Sequence, residues 1–184
     1  IKGHGGADPL IPALQVSSNC HFSYAFLAIM NKYPGNPSKG VDEWKKIMAS
    51  FGTGEFLNND LAVGSKGRIP SGEFYETRMK YIYEKSGNKG KNYKNWDPLS
   101  TGAVFNGMGQ GDVMQTPLQM ANMLAAIANR GWFYTPHIVK AIDGKPNPDP
   151  RFKTKKYTLV DKKHFESVIK GMEAVVLHGT ARGL

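Results

Sequence analysis

The stretch TPLQMANMLAAIANRG, residues 116–131, has a start, a face and a stop, and together these constrain it to one helix. Thr116 can accept a backbone N–H of the first turn. Pro117 suits the first helical position, where its missing N–H costs nothing. Gln119 can reach back to close a capping box. Leu118, Ala121, Leu124, Ala125 and Ala128 recur on one face, and Gly131 provides the stop. The small residues on that face allow close approach, so the spacing predicts a deeply buried helix.

The same grammar is weaker elsewhere but repeats. Asp8-Pro9 reads as a cap and first-turn proline before a short helix over Leu10, Ile11, Leu14 and Val16. Phe22, Ala25, Phe26, Ile29 and Met30 mark a second helix, ended by the breaker-rich NKYPGNP. Trp44, Ile47, Met48 and Phe51 mark a third, stopped at Gly52. A long Gly/Asn-rich connection follows. Ser71 then caps a helix carrying Phe74, Arg78, Tyr81 and Ile82, stopped at Gly87. WFYTPHIVKAI has strand-like aromatic and β-branched residues, and DGKPNPDP reads as a proline-rich loop. Asp161 caps a last helix with the stripe Phe165, Val168, Ile169, Met172 and Val176. The pattern is helix-rich with few strands.

Composition narrows the function classes. The 184 residues suffice for one domain with a real core, and no apolar run approaches the roughly 20 residues of a membrane span. The single cysteine, Cys20, sits in an apolar helix and is expected to be a packing residue. The five histidines show no metal-ligand spacing, so no metal or cofactor is expected. The net charge of +9 permits an anionic partner. Its lysines, however, cluster in EKSGNKGKNYKN and RFKTKKYTLVDKK, which read as solvated loops. With no groove-reading or base-stacking motif, nucleic acid is not expected as a partner. GMGQG is not a GxGxxG fingerprint, and its glycines are expected to give a tight backbone path into the capped helix. The chain opens IKGHGG without a methionine or a charged-then-apolar leader, and stops at HGTARGL. It is expected to be a piece of a longer protein.

Ser17-Ser18-Asn19 interrupts the first two helices. Short polar side chains weaken helix interiors by bonding the local backbone. Two readings are open: Ser17 caps the helix that starts near Asn19, or Ser17 and Asn19 point together into an active site.

The segments GHGGADPLIPALQVSSNCHF, FGTGEF, GMGQGDVMQTPLQMANMLAAIANRG, TPHIV and GMEAVVLHGTARG occur in this order. Together they resemble the transpeptidase domain of class B penicillin-binding proteins, most closely the elongation-type penicillin-binding protein 2 group. The likeness runs from Lys2 to Gly183. It is weak over about residues 73–95, which are expected to be an insertion. The resemblance implies an α+β fold, of which this chain is the helix-rich part of a serine β-lactamase-like domain, with most of the central sheet outside it. It also implies three motifs: Ser-x-x-Lys, then Ser-x-Asn, then Lys-Thr-Gly or Lys-Ser-Gly. Ser17-Ser18-Asn19 falls where the second belongs. The first and third would lie beyond Ile1 and Leu184, so this chain alone is expected to be inactive.

The implied chemistry is acyl transfer through a serine ester from D-Ala-D-Ala stem peptides, with β-lactams trapped as acyl-enzymes. Ser17 would relay a proton between the catalytic lysine and the leaving nitrogen, since a hydroxyl both donates and accepts. Asn19 would bond substrate backbone or the lysine, and Ser18 would point away. Implied partners are peptidoglycan stem peptides, a lipid-linked glycan polymerase and elongation-complex proteins. The implied location is the periplasmic or outer side of the bacterial cell envelope, below a membrane anchor outside this chain. A competing class is a degenerate, non-catalytic scaffold module of the same fold. Ser86-Gly87-Asn88-Lys89 and Ser167-Val168-Ile169-Lys170 also fit Ser-x-x-Lys, and Lys85-Ser86-Gly87 fits the third motif. All follow Ser-x-Asn in the chain, so none is expected to be catalytic.

Overall fold

The computed structural model describes residues 10–88 and 90–183. Six helices carry the fold: α1 (Leu10–Gln15), α2 (Asn19–Met30), α3 (Pro37–Ser50), α4 (Gly72–Lys85), α5 (Pro117–Ala128) and α6 (Phe165–His178). A 3-10 turn, Ala103–Met108, lies across α2. The Asp8-Pro9 cap lies outside the described residues.

The capping signals form as expected. Thr116 accepts from the Gln119 N–H at 3.2 Å, and the Gln119 amide oxygen accepts from the Thr116 N–H at 3.0 Å. Ser71 accepts from the Phe74 N–H at 3.2 Å. Asp161 caps a 3-10 turn over Lys162–His164 that runs straight into α6. One helix starts earlier than its apolar spacing indicates. Asn36 caps α3 and Pro37 takes its first position, so part of NKYPGNP begins a helix as well as ending one.

α2, α3 and α4 enclose one core of Phe26, Met30, Val41, Trp44, Ile69, Tyr75, Met79, Trp96 and Ala103. Close approach sets their spacing. A side chain at Gly72 would collide with Ser38, and one at Gly107 with the Phe22 carbonyl. Residues 73–95 are joined to this core through Tyr75 and Met79. The second packing unit is α1 against α6, where Gly171 leaves room for Leu14.

Two helix faces differ from expectation. α4 turns Tyr75 and Met79 inward, while Tyr81 and Ile82 are exposed. α5 buries Gln119, Asn122 and Ala126, and leaves Ala121, Leu124, Ala125 and Ala128 exposed. The reason is polar. The Gln119 amide donates to the carbonyls of Glu55 and Lys66 at 2.8 and 2.9 Å, and Asn122 donates to the Phe51 carbonyl at 2.9 Å. These loop carbonyls need donors, so the amide face turns inward. α6 buries Phe165 and half-buries Val168, Ile169 and Met172, but Val176 is exposed. Cys20 is half-buried.

Sheet is sparse among the described residues. β1 (Trp132–Phe133) pairs antiparallel with β4 (Lys156–Tyr157), Trp132 opposite Tyr157. β2 (Ala141–Ile142) and β3 (Lys145–Pro146) form a hairpin. Its turn, Asp143-Gly144, has positive φ at both residues, as a type I′ turn requires. The turn and β3 fall within DGKPNPDP, where a plain loop was expected, while β2 lies in the strand-like stretch before it. WFYTPHIVKAI is strand only at its ends. Between them the Asp60 carboxylate accepts the N–H groups of Ile138 and Val139, which a ladder would otherwise use.

Candidate active site

α1 ends in a Schellman motif. The Ser18 N–H donates to the Ala13 carbonyl at 2.8 Å and the Ser17 N–H to the Leu14 carbonyl at 3.0 Å. Ser17 therefore holds the left-handed position, with φ +53°, where glycine is the unstrained residue. Ser18 follows in extended conformation and caps α2, its hydroxyl accepting from the His21 N–H at 3.3 Å.

This corrects the capping reading by one residue. Ser18, 5% exposed, is the cap, and Ser17 and Asn19 on either side of it are exposed. The backbone reverses direction there, so neighbours in sequence point apart. Ser18 turns inward. Ser17 and Asn19 are left with their polar groups outside the helix ends.

The loop after α6 supports this turn. The Thr180 N–H donates to the Gln15 carbonyl at 3.2 Å, and the Gln15 amide donates to the His178 carbonyl at 3.3 Å. Any side chain at Gly179 would overlap the Gln15 carbonyl. Gly179-Thr180-Ala181 is thus held two residues from Ser17, although the two lie at opposite ends of the sequence.

A second polar cluster anchors the GMGQGD loop, and sequence spacing gives no sign of it. Asp112 accepts two bonds from Arg78, at 2.5 and 2.9 Å, and one from the Tyr75 hydroxyl at 2.9 Å. Asn106 donates to the Tyr75 oxygen at 2.6 Å and accepts from the Asp112 N–H at 3.2 Å. Burial opposes ionisation of Asp112, but the bonds from Arg78 and Tyr75 and the Arg78 charge outweigh it, and its pKa lies below the usual carboxylate value. Burial pushes the Tyr75 hydroxyl well up, so it stays a donor. Of the three glycines in this loop, Gly109 and Gly111 have positive φ, in accord with a tight backbone path.

The decoy serines are placed elsewhere. Ser86 is the C-terminal cap of α4, its hydroxyl donating to the Tyr83 carbonyl, and Lys89 lies outside the described residues. Ser167 sits exposed in the first turn of α6. Among the described residues, no group of three His, Cys, Asp or Glu side chains could hold a metal ion, and no helix is long and apolar enough to cross a membrane.

Residues 5–184 match the family model for the penicillin binding protein transpeptidase domain. The chain is 30% identical over 151 residues to the peptidoglycan D,D-transpeptidase MrdA of Haemophilus influenzae, covering 80% of this chain and 19% of that protein. It is 32% identical over 111 residues to MrdA of Escherichia coli, covering 59% of this chain and 15% of that one. Among solved structures, PBP2 of Pseudomonas aeruginosa superimposes with a TM-score of 0.64 at 27% identity, over 95% of this chain and 33% of that chain. PBP2 of Helicobacter pylori, solved with MreC, gives 0.60 at 25%, over 93% and 26%. A chain of a peptidoglycan synthase complex gives 0.64 at 25%, over 95% and 25%. The chain spans less than a fifth of the length of these curated relatives.

Proposed function

Since the chain belongs to the penicillin-binding protein transpeptidase family, we propose that it supplies the Ser-x-Asn element of a peptidoglycan D,D-transpeptidase. The whole protein cross-links stem peptides by serine acyl transfer. The observation that carries this is the Ser17 turn: a serine in the left-handed position, exposed, beside a serine that does the capping. A cap alone explains Ser18. Strain at Ser17 is the sort of feature that a functional constraint maintains.

In this reading the Ser17 hydroxyl passes a proton between the catalytic lysine and the leaving nitrogen of D-Ala. The Asn19 amide, at the exposed first turn of α2, holds substrate backbone or that lysine. The Gly179-Thr180-Ala181 loop fixes the turn against α6. The nucleophile belongs to a Ser-x-x-Lys preceding this segment, and no serine precedes Ser17 in the sequence. The exposed small-residue face of α5 fits a helix that packs on further parts of the domain.

By likeness to relatives solved in a synthase complex and with MreC, the whole protein partners a lipid-linked glycan polymerase and elongation proteins. It works at the cell envelope, on its periplasmic side, and β-lactams acylate it. A fluorescent penicillin incubated with this chain leaves no covalent label after denaturation. The same domain extended upstream through its Ser-x-x-Lys labels at one serine, and Ser17→Ala there slows acylation without loss of fold. Stoichiometric labelling of the 184-residue chain would refute the assignment.

A further inference from the structure

A chain of short contacts joins the Asp112 cluster to the Ser17 turn through α2. We propose that Tyr75 and Arg78 of α4 are positioning residues for Asn19. Through Asn106 and Asp112 they hold the 103–108 turn, and that turn seats the first turn of α2. The importance of Asn19 rests on the transpeptidase reading. The mechanical link rests on hydrogen bonds and backbone contacts alone.

The link starts on α4. The Tyr75 hydroxyl donates to Asp112 at 2.9 Å and accepts from the Asn106 amide at 2.6 Å, so one oxygen ties α4 to both ends of the 106–112 loop. The Asn106 amide oxygen takes the Asp112 N–H at 3.2 Å and closes that loop on itself. Arg78 grips the Asp112 carboxylate with two N–H groups, and Arg68 donates to the Asp112 carbonyl at 3.0 Å. Tyr75 and Asn106 are 0% and 3% exposed, so water does not replace these bonds. A salt bridge of this kind adds little stability over an apolar contact. Its paired, directional bonds instead fix one register. Tyr75 and Arg78 stand outside the segments on which the family resemblance rests.

The link continues into α2. Asn106 belongs to the 103–108 turn, and its neighbour Gly107 lies directly on α2. A Cβ at Gly107 would stand 2.5 Å from the Phe22 carbonyl oxygen and 2.7 Å from the Phe26 Cβ. No flexible side chain lies between the two backbones to absorb a shift, so movement of the turn passes to the helix. Phe22 closes the first turn of α2, its N–H donating to the Ser18 carbonyl at 3.4 Å. Asn19 is the first residue of that turn and Ser18 its cap. One turn on, Phe26 packs edge-on against Trp44 of α3 at 5.3 Å. The start of α2 is thus held between α3 and a turn whose own position is set from α4.

Tyr75→Phe removes the shared oxygen and keeps the ring that packs on Trp96 at 4.7 Å. In the 184-residue chain it should shift the backbone and side-chain amide resonances of Asn19. Ser71→Ala destabilises the same helix by removing its cap, without touching the cluster, and should leave those resonances in place. In the whole protein, Tyr75→Phe and Arg78→Gln should each slow acylation by a fluorescent penicillin about tenfold, while Ser71→Ala labels like the parent. A positioning residue loses its effect once the group it positions is gone. In an Asn19→Ala background, Tyr75→Phe should therefore slow acylation by less than about twofold further. Unmoved Asn19 resonances in Tyr75→Phe overturn the proposal. So do equal slowing in Ser71→Ala and a full tenfold loss that persists in Asn19→Ala. If the whole parent protein fails to label, or Asn19→Ala labels like the parent, the transpeptidase reading of the site fails instead, and the Asn19 resonances still decide the mechanical link.

Discussion

Gln119 is 1% exposed and uses its whole amide. Its oxygen accepts from the Thr116 N–H, and its nitrogen donates to the carbonyls of Glu55 and Lys66, which begin and end the 55–66 loop. Gln119→Glu keeps the shape and replaces the double donor with an oxygen facing two carbonyl oxygens. When protonated, the new carboxyl can serve one carbonyl and loses one bond, about 1 kcal/mol. When ionised it is buried among acceptors, so its folded pKa rises, by about 3 units at such a site. A raised carboxyl pKa means that the folded state binds more protons. The variant is therefore most stable below the unfolded value of about 4.3, and loses about 1.36 kcal/mol per unit as pH rises above it. Relative to the parent chain, the penalty should be about 1.5 kcal/mol at pH 4.5 and about 3 kcal/mol more at pH 7.5. Urea unfolding followed by tryptophan fluorescence at both pH values, with linear extrapolation, measures this. Gln119→Ala removes three bonds and should cost about 3 kcal/mol, independent of pH. The same penalty for Gln119→Glu at both pH values would refute the clamp.

Asp112, whose pKa is held low, contributes stability above its unfolded value of about 3.9, and loses it as pH falls through the folded value. Asp112→Asn should cost about 1–2 kcal/mol at neutral pH, discounted because Arg78 is partly exposed, and should flatten the acid limb of the stability curve. Ser18→Ala should cost about 1 kcal/mol in a denaturant melt through loss of the cap. Ser17→Gly should stabilise by up to about 1 kcal/mol, because glycine takes the left-handed position without strain. In an extended, acylatable form, Ser17→Gly should also slow penicillin labelling. Gly179→Ala should cost about 2 kcal/mol or more by driving the loop off the Gln15 carbonyl. Its largest chemical-shift changes should fall in α1 and the Ser17 turn.

Sequence reading worked where the interaction closes within a few residues. The Thr116–Gln119 box, the Ser71 cap and the stops at Gly52 and Gly87 are local, and a short window contains both partners, whereas α5 turns left-handed at Arg130, one residue before the expected stop at Gly131. It failed on which face of α5 turns inward. Hydrophobic periodicity favoured the leucine and alanine side, but the deciding partners of Gln119 lie 64 and 53 residues away. A buried amide that satisfies loop carbonyls leaves no apolar trace. The Asp112 network was hidden for the same reason, since Tyr75 and Arg78 approach from another helix. The Asp143-Gly144 turn was within reach, because that dipeptide favours positive φ twice, and the surrounding prolines masked it.

The Ser17 turn lies between these cases. The sequence shows three polar residues at a helix break and cannot distinguish which serine caps, since either could accept the same N–H. Two backbone bonds decide it. Once Ser18 donates to Ala13 and Ser17 to Leu14, the chain must turn left-handed at residue 17. The cap then falls to Ser18. A chain selected only for stability would place glycine at residue 17, as this one does at many of its other positive-φ positions. Serine there forgoes that gain and leaves a hydroxyl exposed beside Asn19. The capping and active-site readings thus cease to compete, because adjacent serines divide the two tasks. A gain in stability paired with slower acylation in Ser17→Gly is the result that this division requires.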